Sequence, residues 1–422
     1  MEHVDTVVLG AGIAGLGAAL AARRQGRRAV IFEARNRTGG LLDNFEVDGF
    51  RFDHAVHLSF ATEPLVREIF DRTPYLTHPA ESICFEDGRW LKHPVQNNLH
   101  PLPPEQKVTL IQSFLARPTD LADDDYESWL RHQYGNAIAE RYPIKYTRKY
   151  WDSPAAELST TWIGNRMRRA ELNEILLGAF TDETPNTYYT KEMRYPEKGG
   201  YKAFIQSLID ESEIRAGRAA VRVNSSARKV YFADGTGVTY DRLVSTLPLP
   251  VLAKMMDSPP SVMDAASRLV ATSIDLVSVG FNSPADFPLW LYIYDEDIMA
   301  SRVYSPSRKS PDNVPPGCSS LQFEIYSRGT ESSLTTAQIL ENTRYALRKL
   351  DLCDPDLTRF YDHRRIPYGN VIFYKGMEDD RMVVMNHATE SGVISCGRFG
   401  EWDYLWSNQS LLSGYQACFN NQ

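Results

Sequence analysis

The N-terminal part of the chain alternates short apolar runs with glycine-rich turns. Residues 5–20, DTVVLGAGIAGLGAAL, begin with a continuous apolar run, turn through glycines and continue as an alanine-rich helical segment. Residues 27–40, RRAVIFEARNRTGG, repeat the apolar run and end in a polar loop that contains two glycines. Short uninterrupted apolar runs are typical of strands that are buried on both faces. The order strand, glycine turn, helix and strand therefore predicts a βαβ unit of a parallel sheet.

Two further changes of pattern divide the chain. From about residue 104 to 184, Leu, Ala, Arg and Trp recur at helical spacing, which predicts a helical insertion. Residues 219–249 alternate apolar and polar side chains around an Asp-Gly turn, and residues 251–375 contain the antiparallel-strand candidates IDLVSVGFN, PLWLYIYDED and SSLQFEIYS. The predicted fold class is α/β, in which a Rossmann-like cofactor-binding domain is interrupted by a helical insertion and by an antiparallel β-sheet domain.

These changes also predict the domain boundaries. The cofactor-binding domain takes residues 1–90, 185–250 and 379–422, a helical substrate domain with the first sheet strands takes 91–184, and an antiparallel sheet domain that contacts substrate takes 251–378. A chain of 422 residues, of which 43% are apolar, is long enough for two or three domains with separate cores.

Charge, apolar runs and cysteines exclude several classes of protein. The formal net charge is −8 and there is no long basic run, so a general nucleic-acid binder is not expected. The longest uncharged apolar run, Val7 to Ala22, is broken by glycines and lacks a preceding basic region, so neither a signal peptide nor a membrane span is predicted. The five cysteines have no CxxC or zinc-ligand spacing, which indicates reduced thiols, a cytoplasmic protein and no metal site.

Gly10, Gly12 and Gly15 form a GxGxxG motif between the first strand and the first helix. The first glycine of this motif permits a tight turn, the second lets the backbone approach a pyrophosphate, and the third allows the helix to pack closely on the strand. The helix N-terminus then presents N–H groups and a partial positive charge to the phosphates. Glu33 ends the next strand, where a carboxylate accepts hydrogen bonds from a ribose diol. A dinucleotide site is therefore predicted.

The segment after Glu33 distinguishes FAD from NAD. EARNRTGG, residues 33–40, places a second glycine pair close behind the acidic residue and resembles the extended signature of the amine-oxidase-like flavoproteins. VSTLPL, residues 244–249, resembles the second flavin-domain segment of the same group. A nicotinamide dehydrogenase has no need of the second glycine pair, so FAD is the expected cofactor. The residues expected to bind it are Gly10, Gly12, Ala14, Gly15, Glu33, Ala34, Gly39, Gly40, Leu41, His57, Val223, Gly397, Arg398 and Tyr404.

Six later segments carry a second resemblance: FDHAVHLSF, WLKHPVQNNL, KYTRKYWDSPAAELSTTWIGNRM, WLYIYDEDIMASRVYSP, RIPYGN and GRFGEWDYLWSN. In order and in internal spacing they are similar to the UDP-galactopyranose mutases, and to the fungal and protozoan type more than to the common bacterial type. The last segment matches the family pattern GRxGxWxYxxxN at Arg398, Tyr404 and Asn408. The resemblance runs from residue 7 to about 412, with gaps in the helical part and around 306–320.

This resemblance implies roles for individual residues. His57 and Arg398 would tune or position the flavin and the sugar and are the expected catalytic residues, while the flavin itself carries the chemistry. Arg166 and Arg302 would bind a diphosphate, which suits the always-charged fork of a guanidinium group. The residues expected to bind substrate are Phe60, Gln96, Trp151, Arg166, Tyr292, Arg302, Tyr304, Tyr368, Arg398, Tyr404 and Asn408.

The implied reaction interconverts the pyranose and furanose forms of an NDP-sugar without net oxidation. By resemblance, N5 of the reduced flavin is the nucleophile toward the anomeric carbon, and NAD(P)H or another external reductant keeps the flavin reduced. The expected partner is a UDP-linked sugar of cell-surface polysaccharide biosynthesis, without nucleic acid or membrane, and a homo-oligomer is compatible with the resemblance. The alternative is an FAD-dependent oxidoreductase of the amine-oxidase or protoporphyrinogen-oxidase type, which would share the N-terminal glycines but would not need three matched arginines.

Three positions depart from the fungal type. Thr147 stands where asparagine is usual near the base, His93 stands where tyrosine is usual, and Glu183 stands near a family asparagine that contacts sugar and flavin. These departures leave the diphosphate-binding residues but alter both ends of the ligand, so a different hexose, deoxyhexose or aminohexose nucleotide stays open as the substrate. The glycine pair in EKGGYKA, residues 197–203, predicts a mobile loop that senses flavin reduction.

Overall fold

The structure is a computed structural model that describes residues 1–118, 124–164, 166–167, 171–185 and 192–419. The strands in these residues are β1 (Glu2–Leu9), β2 (Ala29–Phe32), β3 (Asn44–Val47), β4 (Phe50–Asp53), β5 (Tyr75–Pro79), β6 (Ile83–Glu86), β7 (Arg89–Lys92), β8 (Glu192–Pro196), β9 (Glu213–Arg215), β10 (Ala220–Asn224), β11 (Lys229–Phe232), β12 (Gly237–Ser245), β13 (Thr272–Phe281), β14 (Trp290–Ile293), β15 (Arg302–Tyr304), β16 (Ser319–Arg328), β17 (Thr358–Ile366) and β18 (Val393–Ser395). The helices are α1 (Ile13–Arg24), α2 (Pro64–Phe70), α3 (Pro104–Leu115), α4 (Tyr126–Tyr134), α5 (Asn136–Ala139), α6 (Lys145–Trp151), α7 (Leu172–Phe180), α8 (Gln206–Asp210), α9 (Leu249–Met255), α10 (Pro260–Arg268), α11 (Pro306–Lys309), α12 (Thr336–Lys349), α13 (Met377–Glu390), α14 (Gly397–Gly400) and α15 (Ser407–Phe419).

The first sheet is built around β1, the strand that the first apolar run predicts. In the described part of the chain its order is β10-β11-β12-β1-β2-β9, with β18 paired to the end of β12. The strands β12, β1, β2 and β9 are parallel, and so is the pair of β12 and β18. Because Leu9 aligns with Phe32 and Ser245, and Ser245 aligns with Ser395, the carboxyl ends of four strands meet at one edge. Open α/β sheets bind their ligands at this edge.

Helix α15 packs against α1, the helix that follows the GxGxxG turn. α1 is buried from Ile13 to Ala22, as its alanine-rich composition predicts. At Gly414 the two helices approach so closely that a Cβ atom would overlap the carbonyl oxygen of Ala14. Small side chains at the contact therefore let the C-terminal helix support the glycine turn directly.

The second sheet has the order β17-β13-β16-β15-β14-β6-β7. Every residue of β13 and all but the last residue of β16 are buried, and α12 packs against β13 and β17. The antiparallel prediction is correct for each pair of neighbours except β14 and β6, which are parallel. The sheet is therefore mixed, because the hairpin of β6 and β7 joins it from a part of the chain that precedes the helical insertion.

The predicted boundary at residue 90 falls inside β7 and does not coincide with a change of sheet. The hairpin of β6 and β7 has the local pattern of two strands and a turn. Its partner β14, however, lies beyond the whole helical unit and several strands of the first sheet. Strand pairing depends on neighbours across the sheet, so a local pattern does not show which sheet a hairpin joins.

The predicted helical insertion is present as α3 to α7. A π-helical turn, Glu140–Ile144, joins α5 to α6 and contains Pro143. Proline has no N–H group and disturbs an α-helix, and a π turn accommodates the local change in hydrogen bonding. Thr147 donates a hydrogen bond from Oγ1 to the carbonyl oxygen of Pro143 at 2.7 Å. Such turns are frequent at functional sites, and this one borders the cavity described below.

Buried apolar side chains form several clusters rather than one core. One cluster combines the helical unit with part of the second sheet, a second lies around α1 and α15, and a third lies beneath α12. The helical unit is therefore packed onto the second sheet, and residues of its inner face line the cavity described below. No helix within the described ranges has both the length and the apolar character that crossing a membrane requires.

Candidate active site

A cavity of about 1000 Å3 lies where the two sheets and the helical unit meet. One end is lined by the carboxyl edge of the first sheet, with Gly10, Glu33 and Thr246. The other end is lined by the helical unit and the second sheet, with Trp151 and Tyr292. The volume is at the upper end of the range of roughly 300–1,000 Å3 that is usual for ligand sites. A cavity of this size and position is the candidate site for cofactor and substrate together.

The end at the first sheet is built mainly from backbone. Gly10 has a φ of +102°, and a Cβ atom there would overlap Oγ1 of Thr246. The N–H of Gly39 donates to the carbonyl oxygen of Ala11 at 2.8 Å, so the second glycine pair lies against the first turn. The first N–H groups of α1, which begins at Ile13, have no partners within the helix and are available to an anion.

Glu33 closes this backbone cradle at the end of β2. Its Oε2 accepts the N–H of Ala11 at 2.9 Å, and its Oε1 accepts the N–H of Arg35 at 3.0 Å. Two backbone donors therefore fix the carboxylate beside the glycine turn, and its remaining lone pairs are available to a ribose diol. A cradle that an added Cβ would fill, with a fixed acceptor beside it, fits the adenosine diphosphate part of FAD.

Most residues expected to bind the cofactor line the cavity: Gly10, Gly12, Ala14, Glu33, Gly39, Gly40, Leu41, His57, Gly397, Arg398 and Tyr404. The other three lie outside it. Gly15 packs beneath the turn, where a Cβ atom would overlap the carbonyl oxygen of Gly10. Ala34 is exposed beyond the end of β2. Val223 is buried beside Val230 in the edge of the first sheet and does not line the cavity.

His57 lies on the segment that follows β4. Ala55, two residues earlier, has a φ of +75°, and its carbonyl oxygen lies 3.1 Å from Nδ1 of His57. The imidazole stacks on Tyr201, with 5.1 Å between the ring centroids. Burial lowers the pKa of His57 to about 4, although the carboxylate of Asp53 acts in the opposite direction. The ring is therefore neutral at neutral pH, and when Nδ1 donates to Ala55 its Nε2 is an acceptor.

The predicted mobile loop, residues 197–203, contacts His57 through Tyr201. Nδ2 of Asn44 donates to the carbonyl oxygen of Gly199 at 2.8 Å. The N–H of Tyr201 donates to Asp53 at 3.1 Å. These contacts anchor the loop on β3 and on the end of β4, which leads into the segment that carries His57, and the response of the loop to flavin reduction stays a prediction.

Arg302 reaches the cavity from β15 in the second sheet. Its Nε donates to Glu324 on the neighbouring strand β16, and its Nη2 donates to the hydroxyl of Tyr326 at 2.6 Å. Burial by itself lowers the pKa of Arg302, but the charge of Glu324 raises it well above the usual range, so the guanidinium is charged. Its Cζ lies 5.1 Å from the ring centroid of Tyr150 and 5.6 Å from that of Trp290. These cation–π contacts hold the group in place.

Arg398 approaches the cavity from α14, directly after the last strand. Its Nη1 donates to the carbonyl oxygen of Leu405 at 2.7 Å, and its Nη2 donates to Oδ1 of Asn370 at 2.6 Å. The hydroxyl of Tyr150 lies 3.3 Å from the same oxygen of Asn370 and 2.8 Å from the hydroxyl of Tyr404. One connected set of hydrogen bonds therefore joins the C-terminal segment to the helical unit.

Arg166 reaches the same place from the segment that follows Trp162. Its Nη1 donates to the carbonyl oxygen of Trp162 at 3.1 Å, and its Nη2 donates to the carbonyl oxygen of Tyr404. The Cζ of Arg166 lies 4.8 Å from the ring centroid of Tyr404, and the Cζ of Arg398 lies 4.6 Å from it. Two guanidinium groups therefore share one aromatic ring, whose negative faces offset part of the repulsion between them.

Some buried donors on residues that line the cavity have no hydrogen-bond partner among the described residues: Nε1 of Trp162, Nε1 of Trp290, Nδ2 of Asn370 and Nε of Arg398. Buried donors are rarely left unpaired, because each costs about 1–3 kcal/mol. Together with the charged arginines they fit a ligand that is rich in acceptor oxygens, such as phosphates, sugar hydroxyls and ring carbonyls.

Most residues expected to bind substrate also line the cavity: Phe60, Gln96, Trp151, Arg166, Tyr292, Arg302, Tyr368, Arg398 and Tyr404. Tyr304 and Asn408 do not. Tyr304 is fully buried, and its hydroxyl donates to Gln322 on β16. Asn408 is buried at the start of α15, and its Nδ2 donates to Glu63 at 2.6 Å. Both side chains pack behind the residues that line the cavity and do not face the ligand space.

Two of the three departures from the fungal pattern, His93 and Thr147, line the cavity. His93 stacks on Tyr292 with 4.7 Å between the ring centroids, and burial lowers its pKa to about 4. The departure at this position therefore places a neutral ring with one donor and one acceptor in the wall. Glu183 is exposed and does not line the cavity. The end of its segment, from residue 186, lies outside the described residues.

Four residues that hold the arginines are absent from the predicted set: Tyr150, Glu324, Tyr326 and Asn370. Tyr150 and Asn370 lie inside segments that carry the family resemblance, so a signal for them was present. Glu324 and Tyr326 lie in a strand that alternation alone assigns to the core. An acidic residue in the middle of a buried strand is itself a signal, because a buried carboxylate requires partners.

Comparison with known proteins identifies the family. The sequence profile described as "Flavin containing amine oxidoreductase" matches residues 13–418. This range covers nearly the whole chain, and the protein belongs to the family of flavin-containing amine oxidoreductases. Membership implies FAD as the cofactor, in agreement with the backbone cradle at the first sheet.

Solved structures of several proteins share the fold. A crystal structure of reduced UDP-galactopyranose mutase has a TM-score of 0.92 at 24% identity, covering 98% of this chain and 94% of that one. A putative protoporphyrinogen oxidase from Exiguobacterium sp. 255-15 has a TM-score of 0.75 at 16% identity, covering 99% and 98%. A putrescine oxidase double mutant has a TM-score of 0.66 at 13% identity, covering 99% of both chains. At these identities the similarity confirms the predicted fold class and the fold of the mutase type.

Curated relatives match over short segments. All-trans-retinol 13,14-reductase of Danio rerio is 38% identical over 56 residues, which are 13% of this chain and 9% of that protein. Soluble pyridine nucleotide transhydrogenase of Marinomonas sp. (strain MWYL1) is 39% identical over 71 residues, which are 16% of this chain and 15% of that protein. The chain therefore spans less than a sixth of the length of these curated relatives.

Proposed function

We propose that this protein is a flavin-dependent mutase that interconverts the pyranose and furanose forms of a nucleoside-diphosphate sugar, with UDP as the nucleotide. The observation that carries the proposal is that Arg166, Arg302 and Arg398 line one cavity together with the glycine cradle. Three fixed positive charges beside a flavin site suit a diphosphate, which a guanidinium fork binds through two parallel hydrogen bonds. The resemblance of the six sequence segments to the UDP-galactopyranose mutases supports the same assignment.

The distribution of acidic side chains supports an anionic substrate. Glu33 and Asp43 line the cavity at the end of the first sheet. Asp43 is paired there with Arg37 at 2.7 Å and with Lys202 at 2.8 Å. At the other end Arg302 is paired with Glu324, and Arg166 and Arg398 add two further guanidinium groups to the lining.

An amine oxidase fits this cavity less well. Amines are positively charged at neutral pH, and three guanidinium groups set against the buried carboxylate of Glu324 repel an ammonium ion. The similarity to putrescine oxidase concerns the fold and leaves the chemistry of the walls open. An oxidase of an anionic substrate, as in the protoporphyrinogen-oxidase alternative, is the competing assignment that the experiment below separates.

The proposed mechanism divides the work between cofactor and protein. A bound reduced flavin supplies a nucleophilic nitrogen for covalent catalysis at the anomeric carbon. Arg166 and Arg302 bind the diphosphate and keep it beside the sugar after the two separate, so that it returns to the same carbon. Arg398, held by the same oxygen of Asn370 that Tyr150 contacts, orients the ligand.

Neutral and aromatic groups complete this proposed mechanism. His57 is uncharged at neutral pH and offers Nε2 as an acceptor for a hydroxyl or N–H group without adding charge. Trp151 is buried, and its ring lies 5.7 Å from that of Tyr404, measured between centroids. These two rings keep water away from the reacting sugar, which would otherwise be hydrolysed. NAD(P)H is the proposed external reductant.

The experiment compares reduced and oxidised protein on the same substrates. Flavin-loaded protein is reduced with dithionite without oxygen and is given UDP-linked hexoses, deoxyhexoses and aminohexoses, and the products are separated by chromatography. We expect ring isomers from the reduced protein and none from the oxidised protein, and we expect borohydride to trap a sugar on the flavin. An oxidase would instead bleach its oxidised flavin with substrate and release hydrogen peroxide in air, and that result would refute the mutase.

A further inference from the structure

Glu324 on β16 connects two parts of the site that the proposed mechanism treats separately. Its side chain is fully buried. Oε2 accepts the Nε–H of Arg302 and the hydroxyl of Tyr326, the latter at 2.7 Å. Oε1 accepts the N–H of Val56 at 2.7 Å. One carboxylate therefore joins the anion-binding arginine of the second sheet to the backbone of the residue before His57.

The segment around Val56 has a conformation that depends on such support. Ala55 has a φ of +75°, a region that a residue with a side chain adopts only when its surroundings hold it there. Its carbonyl oxygen is bound to the imidazole of His57, and the next N–H, that of Val56, is bound to Glu324. The hydrogen bond from Val56 to Glu324 is therefore one of the contacts that fix the position of His57.

The neighbouring pair on the same two strands shows that a charge is not needed to join them. Arg302 is aligned with Glu324, and Tyr304 is aligned with Gln322. Tyr304 donates to Gln322 in a buried, uncharged pair behind the cavity wall. The charged pair stands at the position that faces both the cavity and the N–H of Val56. A role in packing alone does not account for this difference.

We propose that Glu324 is a positioning residue that couples the anion-binding guanidinium of Arg302 to the segment that carries His57. The inference rests on the proposed function, because it assigns a diphosphate to Arg302. Without a ligand, Glu324 is the carboxylate that interacts with the positive charge of Arg302. Phosphate oxygens bound to the Nη groups interact with the same charge and weaken its attraction to Glu324. The carboxylate then binds its other donor, the N–H of Val56, more strongly. Occupancy of the diphosphate site is thereby transmitted to the backbone beside His57.

The coupling is tested by measuring amide hydrogen exchange in the flavin-loaded protein by mass spectrometry. A peptide that contains Val56 is followed with and without UDP, and with and without inorganic pyrophosphate. In the wild-type protein we expect either ligand to slow exchange of the Val56 amide by about tenfold, the size of a modest gain in one charge-assisted hydrogen bond. The response in Tyr304→Phe, which alters only the neighbouring uncharged pair, should equal that of the wild type.

Two substitutions of Glu324 test separately the contribution of its charge and that of its side-chain length. Glu324→Gln keeps the length, but Val56 and Arg302 bind different oxygens of Glu324, so the NH2 group of glutamine faces one of these two donors and cannot accept from it. Glu324→Asp keeps the charge but is one methylene shorter and cannot span the two partners. Both variants should bind UDP with the Val56 response reduced to less than about twofold, a change too small for one retained charge-assisted hydrogen bond. Flavin content shows whether each variant is folded.

The outcomes distinguish the coupling from the function. Failure of the wild-type protein to bind UDP in equilibrium dialysis refutes the proposed function and the coupling together. Binding with an equal Val56 response in wild type, Glu324→Gln and Glu324→Asp refutes the coupling alone. A third comparison needs no ligand. Arg302→Lys weakens the contact to Glu324, so by the same argument Glu324 should bind the N–H of Val56 more strongly, and the exchange rate of that amide should fall. An unchanged rate in that variant also overturns the coupling.

Discussion

The two ends of the cavity are built in different ways. The glycine cradle at the cofactor end is made of backbone groups and the carboxylate of Glu33, and these parts lie within the first forty residues. The substrate end is made of charged and aromatic side chains, and its arginines are held by side chains of other elements, as Arg302 is by Glu324 on the neighbouring strand and Arg398 is by Asn370. A backbone cradle fails when a side chain is added, whereas a cluster of charges fails when a charge is removed. Substitutions at the two ends should therefore have different effects.

The largest effect is expected from removing a charge at the substrate end. Arg302→Met keeps an unbranched side chain but removes the guanidinium group, and so leaves Glu324 buried without its cation. Breaking a buried ion pair from one side costs about 3–5 kcal/mol of unfolding free energy. Urea unfolding of the flavin-loaded protein measures this loss, and equilibrium dialysis should show that UDP binding is lost as well. Flavin content should stay near the wild-type value, because the cradle lies at the other end.

The control for this prediction is the double variant Arg302→Met with Glu324→Gln. It removes both charges, so most of the lost stability should return while UDP binding stays absent. A single variant as stable as the wild type would show that the pair is not effectively buried. If Arg302→Met alone were purified without flavin, the cofactor end would depend on the substrate end, and the contrast between the two ends would be wrong.

The next effect depends on pH and belongs to the histidines in the wall. His57 and His93 each have a pKa of about 4 in the folded protein, against about 6.5 for a free histidine. Below pH 6.5 the unfolded chain binds these protons first, so the free energy of unfolding falls as the pH drops from about 6.5 to about 4. The loss amounts to about 3 kcal/mol for each histidine, and above pH 6.5 the two groups contribute no pH dependence.

Urea unfolding at pH 7.0, 6.0 and 5.0 tests this expectation against the matched variant His57→Asn. Carboxylates also titrate in acid, so the informative quantity is the difference in slope between wild type and variant. The wild type should lose stability more steeply between pH 6.5 and 5. Equal slopes would mean that His57 is accessible to protons in the folded state, and the substrate end would then be more open than its burial indicates.

The same contrast explains how far the sequence alone predicts the molecule. The first sheet, the helical insertion and strands β13, β14 and β16 follow from local periodicity, and the cofactor cradle follows from GxGxxG and Glu33. In each case the signal lies within one short segment, although the strands themselves pair with distant ones, as β1 does with β12. The parallel pair of β6 and β14 is not predictable in this way, because the pairing joins distant segments whose local patterns are those of any strand.

The substrate end shows the same limit for single residues. Arg302 and Tyr304 are two positions apart on one strand, so alternation assigns both to the same face. The cavity ends between them. The hydroxyl of Tyr304 donates to Gln322, and Nζ of Lys309 lies 4.4 Å from the ring centroid of Tyr304. That boundary depends on the register of β15 and β16 and on α11. Neither leaves a signal near residue 304.

A smaller effect is expected from adding a methyl group to the cradle. Gly10→Ala places a Cβ on a residue with a φ of +102° and against Oγ1 of Thr246. Strain and overlap of this kind cost about 1–3 kcal/mol. The loss should appear mainly as reduced flavin content, measured by the flavin absorbance per protein after purification. The arginines are untouched, so UDP should still bind to the fraction that retains flavin.

Gly26→Ala is the matched control for the cradle. Gly26 also has a positive φ, +70°, but has no atom within 4 Å of an added Cβ. The two variants share the backbone strain and differ in the overlap and in the distance from the cofactor. Gly26→Ala should lower stability and leave flavin content unchanged. Equal flavin content in both variants would mean that the turn tolerates a side chain and that the cradle is less closely packed than its geometry indicates.

The smallest effect is expected from Tyr404→Phe. The substitution removes the hydroxyl that lies 2.8 Å from that of Tyr150 but keeps the ring that Arg166 and Arg398 share. Loss of one hydrogen bond between uncharged groups costs about 0.5–1.5 kcal/mol in unfolding free energy. The KM for the nucleotide sugar should rise by less than about tenfold, because both guanidinium groups keep their positions.

Tyr404→Leu removes the ring as well and provides the contrast within the substrate end. Without the ring, two like charges lose the group that both of them contact, so UDP binding should weaken far more than in Tyr404→Phe. The difference between the two variants measures the contribution of the ring, and the difference between Tyr404→Phe and wild type measures that of the hydrogen-bond network. If both variants weaken UDP binding equally, the network through Tyr150 and Asn370 positions the arginines and the shared ring does not.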